Sequence, residues 1–305
     1  MLLPFYQSLH SINNGFLLSK ALRNRGRTRK IFSQNLTKLM REKLKQVENG
    51  SLKLPTSGTH GTPPVSLTSW QPRYSSLPLV LLNLLEQDLL PSRIIVWLAA
   101  KDYDLLDQNL INIFEKSIVE FRQTEDYGPH KKWLPLTLLS NEPFVICDDD
   151  IFYPSFWYRS LIESDDGQSY VAHRCHQLSL SLEKNLLSYE LWEKDIIEKS
   201  TVSSHRLFAV GCGGALIYPE RISSRFRDWN TIARVCPKND DIWLKLAHFD
   251  SKVPSRKTSF MFPCLEYTDS QEVGLLQTNV NLGGNDRQIK QSLTELQLNL
   301  DILSF

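Results

Sequence analysis

Residues 144–154 read FVICDDDIFYP: a short apolar run, three consecutive aspartates, then an aromatic pair. The apolar run has no polar alternation. The strand it forms is therefore expected to be covered on both faces, as in a mostly parallel sheet with helices on either side. Adjacent acids repel, and two arrangements relieve that repulsion: a turn whose carboxylates face water, or a cation held among them. An apolar strand running directly into the acids favours the cation. Side chains alternate along an extended chain, which predicts Asp148 and Asp150 on one side and Asp149 on the other. Two hard oxygen ligands on one side suit Mg²⁺ or Mn²⁺, which takes one or two carboxylates together with phosphate oxygens.

Upstream of this stretch, VSLTSW (65–70), RIIVWLAA (93–100) and VEFRQT (119–124) read as strands. Between them LPLVLLNLLEQDLL (77–90), NLINIFEKSI (109–118) and HKKWLPLTLLS (130–140) read as helices. Such alternation predicts an α/β fold with a doubly wound, mostly parallel sheet. Ligands of open α/β sheets bind outside the carboxyl ends of the strands, which is where residues 148–150 fall. Past residue 165 the rhythm loosens. SYVAHRCHQLSL (169–180), LFAVGCGGALIYP (207–219) and TSFMFPCL (258–265) read as strands of a second half. The glycines around Cys212 do not make a dinucleotide fingerprint. They suit either a bulge or a close approach of backbone to a ligand.

A second acidic pair lies in CPKNDDIWLKLAHF (236–249). Asn239 or Asp240 starts a helix there, since Asn and Asp cap helix N-termini and favour the positive end of the dipole. Capping accounts for one acid and leaves the other to be explained. His173 and His176 lie three apart, on opposite faces of a strand, and so do not form a metal pair. His248 falls inside the helix, a poor position for a third metal ligand.

The formal net charge of +1 hides an asymmetry: ten Lys/Arg and one acid lie between Lys20 and Lys45. Within this region Phe32, Leu36, Met40, Leu44 and Val47 form the apolar stripe of a helix stopped by Asn49-Gly50. A basic amphipathic helix either lies on an anionic membrane surface or packs on the neighbouring domain. No nucleic-acid-binding module accompanies the cluster, so nucleic acid is not an expected partner. The linker SGTHGTPP (57–64) closes this zone. At the other end Asn285 and Gln288 signal a helix start. Ile289, Leu293, Leu296, Leu300 and Leu303 form its stripe. The expected organisation is thus a basic helical region (1–64), a main domain (65–270) and a C-terminal loop and helix (271–305). Five widely spaced cysteines without a C-x-x-C pair read as free thiols in a reducing compartment. With no secretory signal pattern and no apolar stretch long enough to span a bilayer, the expected location is the cytoplasm, with possible contact at the inner face of the membrane.

VICDDDIFYP (145–154) resembles the D-x-D motif of nucleotide-sugar glycosyltransferases with the GT-A fold. VSLTSWQPR (65–73), EDYGPHKKWLP (125–135), GCGGALIYP (211–219) and NDDIWLKLAHF (239–249) follow the order seen in bacterial, family 2-like members. The resemblance covers about residues 65–265 and implies a nucleotide-binding half (65–150) and an acceptor half (151–270). It places Thr68, Ser69, Arg73, Lys131 and Lys132 near the donor, with Asp148 and Asp149. It makes Asp150, with Asp148, the ligand of Mn²⁺ or Mg²⁺, and sets Gly213 and Gly214 beside the donor sugar and acceptor. Asp241, seconded by Asp240, becomes the general base of an inverting transfer. The implied reaction is metal-dependent movement of a sugar, from a UDP-sugar, to a surface-polysaccharide or glycolipid acceptor. Two alternatives stand beside it. One is a HAD-type phosphohydrolase, although Phe152 stands where that motif wants Thr or Val. The other is a non-catalytic glycan- or membrane-binding protein with a transferase-like fold.

Overall fold

The computed structural model describes residues 26–196, 202–268, 283–298, 300 and 303. The basic residues before Gly26 and the loop from Gln271 lie outside them. The described elements begin with helix α1 (Gly26–Glu48), strand β1 (Val65–Thr68), α2 (Leu77–Leu84), β2 (Ile94–Ala99), α3 (Ala100–Tyr103), α4 (Gln108–Phe114) and β3 (Val119–Thr124). Next come α5 (Leu134–Leu139), β4 (Phe144–Ile146), β5 (Ile151–Phe152), α6 (Trp157–Glu163), β6 (Tyr170–Ala172) and β7 (Cys175–Gln177). The remainder is β8 (Leu207–Ala209), β9 (Ala215–Ile217), α7 (Trp229–Val235), α8 (Asp240–Asp250), β10 (Ser255–Lys257), β11 (Leu265–Glu266) and α9 (Gly284–Leu296).

Seven strands form the central sheet in the order β10-β6-β9-β4-β1-β2-β3. The pairs β1–β2, β2–β3 and β6–β10 are parallel, while β9 runs antiparallel to β4 and β6. This is the mixed α/β, mostly parallel architecture that the strand–helix alternation predicts. The described residues fall into two compact units. Unit 1 takes those up to 126, 147–163 and 260–268; unit 2 takes those from 127–146, 164–259 and 283 onward.

In unit 1, Val65, Leu67 and every residue of β2 are buried, as expected of strands covered on both faces. Ser66 is tolerated there because its Oγ accepts a hydrogen bond from Trp97 Nε1 at 3.1 Å. Helix α1 buries Leu36 and Met40 of its predicted stripe, with Phe32, Leu44 and Val47 half-buried. Its flanking polar groups are also engaged: Arg29 pairs with Glu266, Lys43 with Glu86, and Thr37 Oγ1 accepts from Thr268 N. The helix therefore packs on its own unit.

Three predicted elements differ. HKKWLPLTLLS divides into a 3₁₀ turn (Gly128–Lys132) and α5, because Pro135 is tolerated in the first turn of a helix and not inside one. The two long strands of unit 2 each break. Residues 169–180 give β6 and β7, which lie in different sheets, and 207–219 give β8 and β9 around a 3₁₀ turn at Gly211–Gly213. TSFMFPCL contributes only Leu265 to a strand, the short β11, which pairs antiparallel with β5. The C-terminal helix stops at Leu296, short of its predicted stripe, where Gln297 turns left-handed with φ 49°.

Candidate active site

In unit 1 the chain leaves the sheet just before the acids. Strand β4 ends at Ile146, and Cys147 N makes a last bond to Ser66 O at 3.2 Å. The turn that follows is anchored to α2. Asp148 N donates to the Tyr153 hydroxyl (2.9 Å), and Asn83 bonds both the N–H and the C=O of Tyr153 (2.6 and 2.7 Å). Since residues 148–150 are not extended, their side chains do not alternate. The expected split of Asp148 and Asp150 from Asp149 is corrected: Asp149 and Asp150 meet the same guanidinium nitrogen. Arg73 Nη1 lies 3.0 Å from Asp149 Oδ1 and 2.5 Å from Asp150 Oδ2.

The loop after β1 supplies the rest of this cluster. Ser69 Oγ donates to Asp149 Oδ2 at 2.5 Å, and Ser76 Oγ lies 3.1 Å from Asp149 O. Gln71 N donates to Asp102 Oδ1 and the Tyr74 hydroxyl to Asp102 O, which fixes the turn carrying Arg73. Thr68 turns away, its hydroxyl donating to Trp97 O at 2.8 Å. Asp149 and Asp150 are buried and Asp148 is half-buried. Burial pushes the Asp149 carboxyl up and Asp150 well above the usual carboxylate range, against the pull of Arg73. Burial works against the Arg73 charge too, but Asp149, Asp150 and Asp148 outweigh it and raise that group's pKa.

These observations bear on a divalent ion. Among the described residues no three His, Cys, Asp or Glu side chains converge as a complete metal site. Mg²⁺ and Mn²⁺ do not need one, since substrate phosphates and water complete their shells. The aspartate trio stands against the Arg73 guanidinium, and burial is the main cause that raises Asp149 and Asp150. Arg73 Nε is buried without a hydrogen-bond partner, a donor suited to an anionic oxygen. The donor set fits a divalent ion accompanied by phosphate.

In unit 2, Asn239 is the cap of α8, its Oδ1 accepting from Ile242 N at 2.9 Å. Both acids of the pair are thereby released from capping. Lys132 Nζ lies 2.9 Å from Asp240 Oδ2, a buried ion pair. Asp241, half-buried, accepts from Gly211 N at 2.9 Å through Oδ1. A Cβ on Gly211 would stand 2.6 Å from that oxygen, so a side chain there would displace the Asp241 carboxylate. At Gly213 a Cβ would meet Arg174 N at 2.9 Å, while Gly214 takes φ 87°. Lys131 is buried beside Lys132 in the 3₁₀ turn.

Four histidines are held by neighbouring groups. His248 stacks on Tyr170 (4.1 Å, 7°) with Nδ1 2.6 Å from Leu244 O. His173 Nδ1 lies 2.7 Å from Thr258 Oγ1, and His176 Nδ1 accepts from Asp195 N at 3.0 Å. His130 is held between Cys236 O and Trp133 Nε1, and burial lowers its pKa to about 4, so it is neutral. Sequence reasoning missed Gly211, although it heads the glycine group that drew notice. It also missed Arg174, which forks onto Asp195 (2.5 and 3.1 Å) and donates to Cys212 Sγ at 2.8 Å. An arginine between two histidines carries no local signal of that pairing.

The structure thus brings together Ser69, Arg73, Asp149 and Asp150 in unit 1, and Lys132, Asp240, Asp241 and Gly211 in unit 2. The chain matches no protein-family model and no curated protein. Among solved structures it is similar to HddC from Yersinia pseudotuberculosis, with 17% identity over 47% of this chain and 62% of that one, at a TM-score of 0.30. It is similar to the mannosyltransferase PcManGT from Pyrobaculum calidifontis, solved with GDP-Man and Mn²⁺, with 11% identity, 87% and 76% coverage and a TM-score of 0.45. S. aureus TarS 1-349 matches with 12% identity, 67% and 60% coverage and a TM-score of 0.37. The chain spans only 62% and 60% of the HddC and TarS structures. At TM-scores this low, none of these likenesses bears on what this chain binds or does.

Proposed function

We propose that this chain is a glycosyltransferase, moving a sugar from a nucleotide-sugar donor to a glycan or glycolipid acceptor with inversion. The resemblance of its motifs favours a UDP-sugar and a surface-polysaccharide acceptor. The observation that carries the reading is the anchored aspartate turn beyond β4, facing an arginine whose buried Nε has no hydrogen-bond partner. Asp150 and Asp148 would hold Mn²⁺ or Mg²⁺, and the ion, when bound, would stabilise the negative charge that builds on the leaving nucleoside diphosphate. Ser69 and Arg73 hold Asp149 and orient the nucleotide, with Thr68 at the strand end; the motif resemblance assigns Lys131 to the donor, while Lys132 is paired with Asp240.

Asp241 is assigned the proton of the attacking acceptor hydroxyl. Asn239 is the cap of α8, and the Gly211 N–H holds one oxygen of Asp241 in place. Lys132 offsets the charge of Asp240, so that one carboxylate of the pair acts as base. Gly213 and Gly214 lie in the same glycine turn and are assigned to the sugar and acceptor. Residues 65–270 form the catalytic region on this reading, at the inner face of the membrane. Lys38, Arg41 and Lys45 on the exposed side of α1 are suited to anionic lipid. Among the described residues no helix is long and apolar enough to cross a membrane.

A thermal-shift screen of nucleotides and nucleotide sugars, with and without Mn²⁺, tests the reading. A shift from UDP or a UDP-sugar that needs Mn²⁺ and disappears in Asp150→Asn is expected. No nucleotide shift under any condition, or one indifferent to Asp150→Asn, contradicts it.

A further inference from the structure

Arg73 meets two carboxylates through one nitrogen, Nη1. A guanidinium commonly grips a single carboxylate with two nitrogens in a fork. Here the fork is not used that way, and the buried Nε has no hydrogen-bond partner. The arginine is well placed to neutralise the acids and incompletely satisfied in doing so. A divalent ion on Asp150 competes for an oxygen that Nη1 already touches at 2.5 Å. Two cations that close repel strongly in a buried site. The ion and the guanidinium therefore compete for Asp150, and a diphosphate offers the guanidinium another anion, with oxygens to match both Nη1 and Nε.

We propose that Arg73 is a place-holding cation: it occupies Asp149 and Asp150 without donor and passes to the diphosphate when donor arrives, so that metal binding depends on nucleotide binding. The inference rests on the glycosyltransferase reading of this site. Arg73 acts as a positioning residue, and Ser69, bonded to the other oxygen of Asp149, keeps that carboxylate in place during the exchange. The consequence is an ordered site, in which free Mn²⁺ is held weakly and nucleotide and ion are held together.

Mn²⁺ titrations of the full chain, followed by loss of the free-ion EPR signal with and without UDP, test this. In the wild type UDP is expected to tighten Mn²⁺ binding by about tenfold or more. Arg73→Gln without UDP is expected to hold Mn²⁺ roughly tenfold more tightly than wild type, with the UDP effect falling below about threefold. Arg73→Lys restores the dependence on UDP. Equal Mn²⁺ affinity of wild type and Arg73→Gln without UDP overturns the proposal, and UDP binding with Mn²⁺ in both leaves the glycosyltransferase reading standing. A wild type that binds neither UDP nor Mn²⁺ overturns both. Should Arg73→Gln prove too unstable to purify, Mn²⁺ added alone during refolding is expected to recover it. Failure of that rescue counts against the proposal.

Discussion

Lys245 sits buried in unit 2, its Nζ 3.2 Å from Ser255 Oγ and 4.4 Å over the Phe249 ring. No ion pair to a carboxylate is seen for it among the described residues, and burial lowers its pKa from 10.5 to about 7. Below pH 7 the amine is charged in both states, and the folded state bears the full penalty of a charge in an apolar site. Between pH 7 and 10.5 the unfolded chain binds more protons, so this group's contribution to stability rises with pH. Lys245→Met should therefore raise Tm most near pH 6, by about 2–4 kcal/mol of stability, with the gain shrinking towards pH 10. Thermal unfolding across that range checks it; a gain independent of pH contradicts it. At this scale the acids at 148–150 and 240–241 were legible from sequence. Which partners they meet was not, because Arg73 and Gly211 are brought to them by separate segments.

At the scale of elements, the start of α8 shows why a sequence with two capping candidates leaves the choice open. Asn239 and Asp240 are both good caps, and tertiary context selects Asn239, whose Nδ2 also donates to Asn285 Oδ1 at 2.8 Å and ties α8 to α9. Asn239→Ala should cost about 1 kcal/mol in chemical denaturation, with Asn239→Ser recovering part of it. A loss no larger in Ala than in Ser would show that the cap contributes little. Strands β2 and β4 were legible because covered strands read as unbroken apolar runs, and β3 because its buried residues alternate with polar ones. The breaks within 169–180 and 207–219 were not, since apolar residues continue on both sides and the turns depend on where the chain must change sheets.

At the scale of the molecule, the chain passes between its two units after residues 126, 146, 163 and 259. The crossing after 146 coincides with the change from an apolar run to the three aspartates. Nothing local says that such a change is a boundary between units, because the boundaries are set by long-range pairing. Each unit carries its own carboxylate cluster: one facing Arg73 in unit 1, one with a backbone-held aspartate in unit 2. The proposed function assigns the first to the donor and the second to the general base. Nucleotide release from UDP-sugars by the full chain with Mn²⁺, beside a phosphate-ester control, tests that claim most directly. UDP release should be seen, falling roughly 10²–10⁴-fold in Asp241→Asn while UDP binding is kept, with the phosphate ester untouched. Hydrolysis of the phosphate ester without UDP release, or an Asp241→Asn variant as active as wild type, would contradict it.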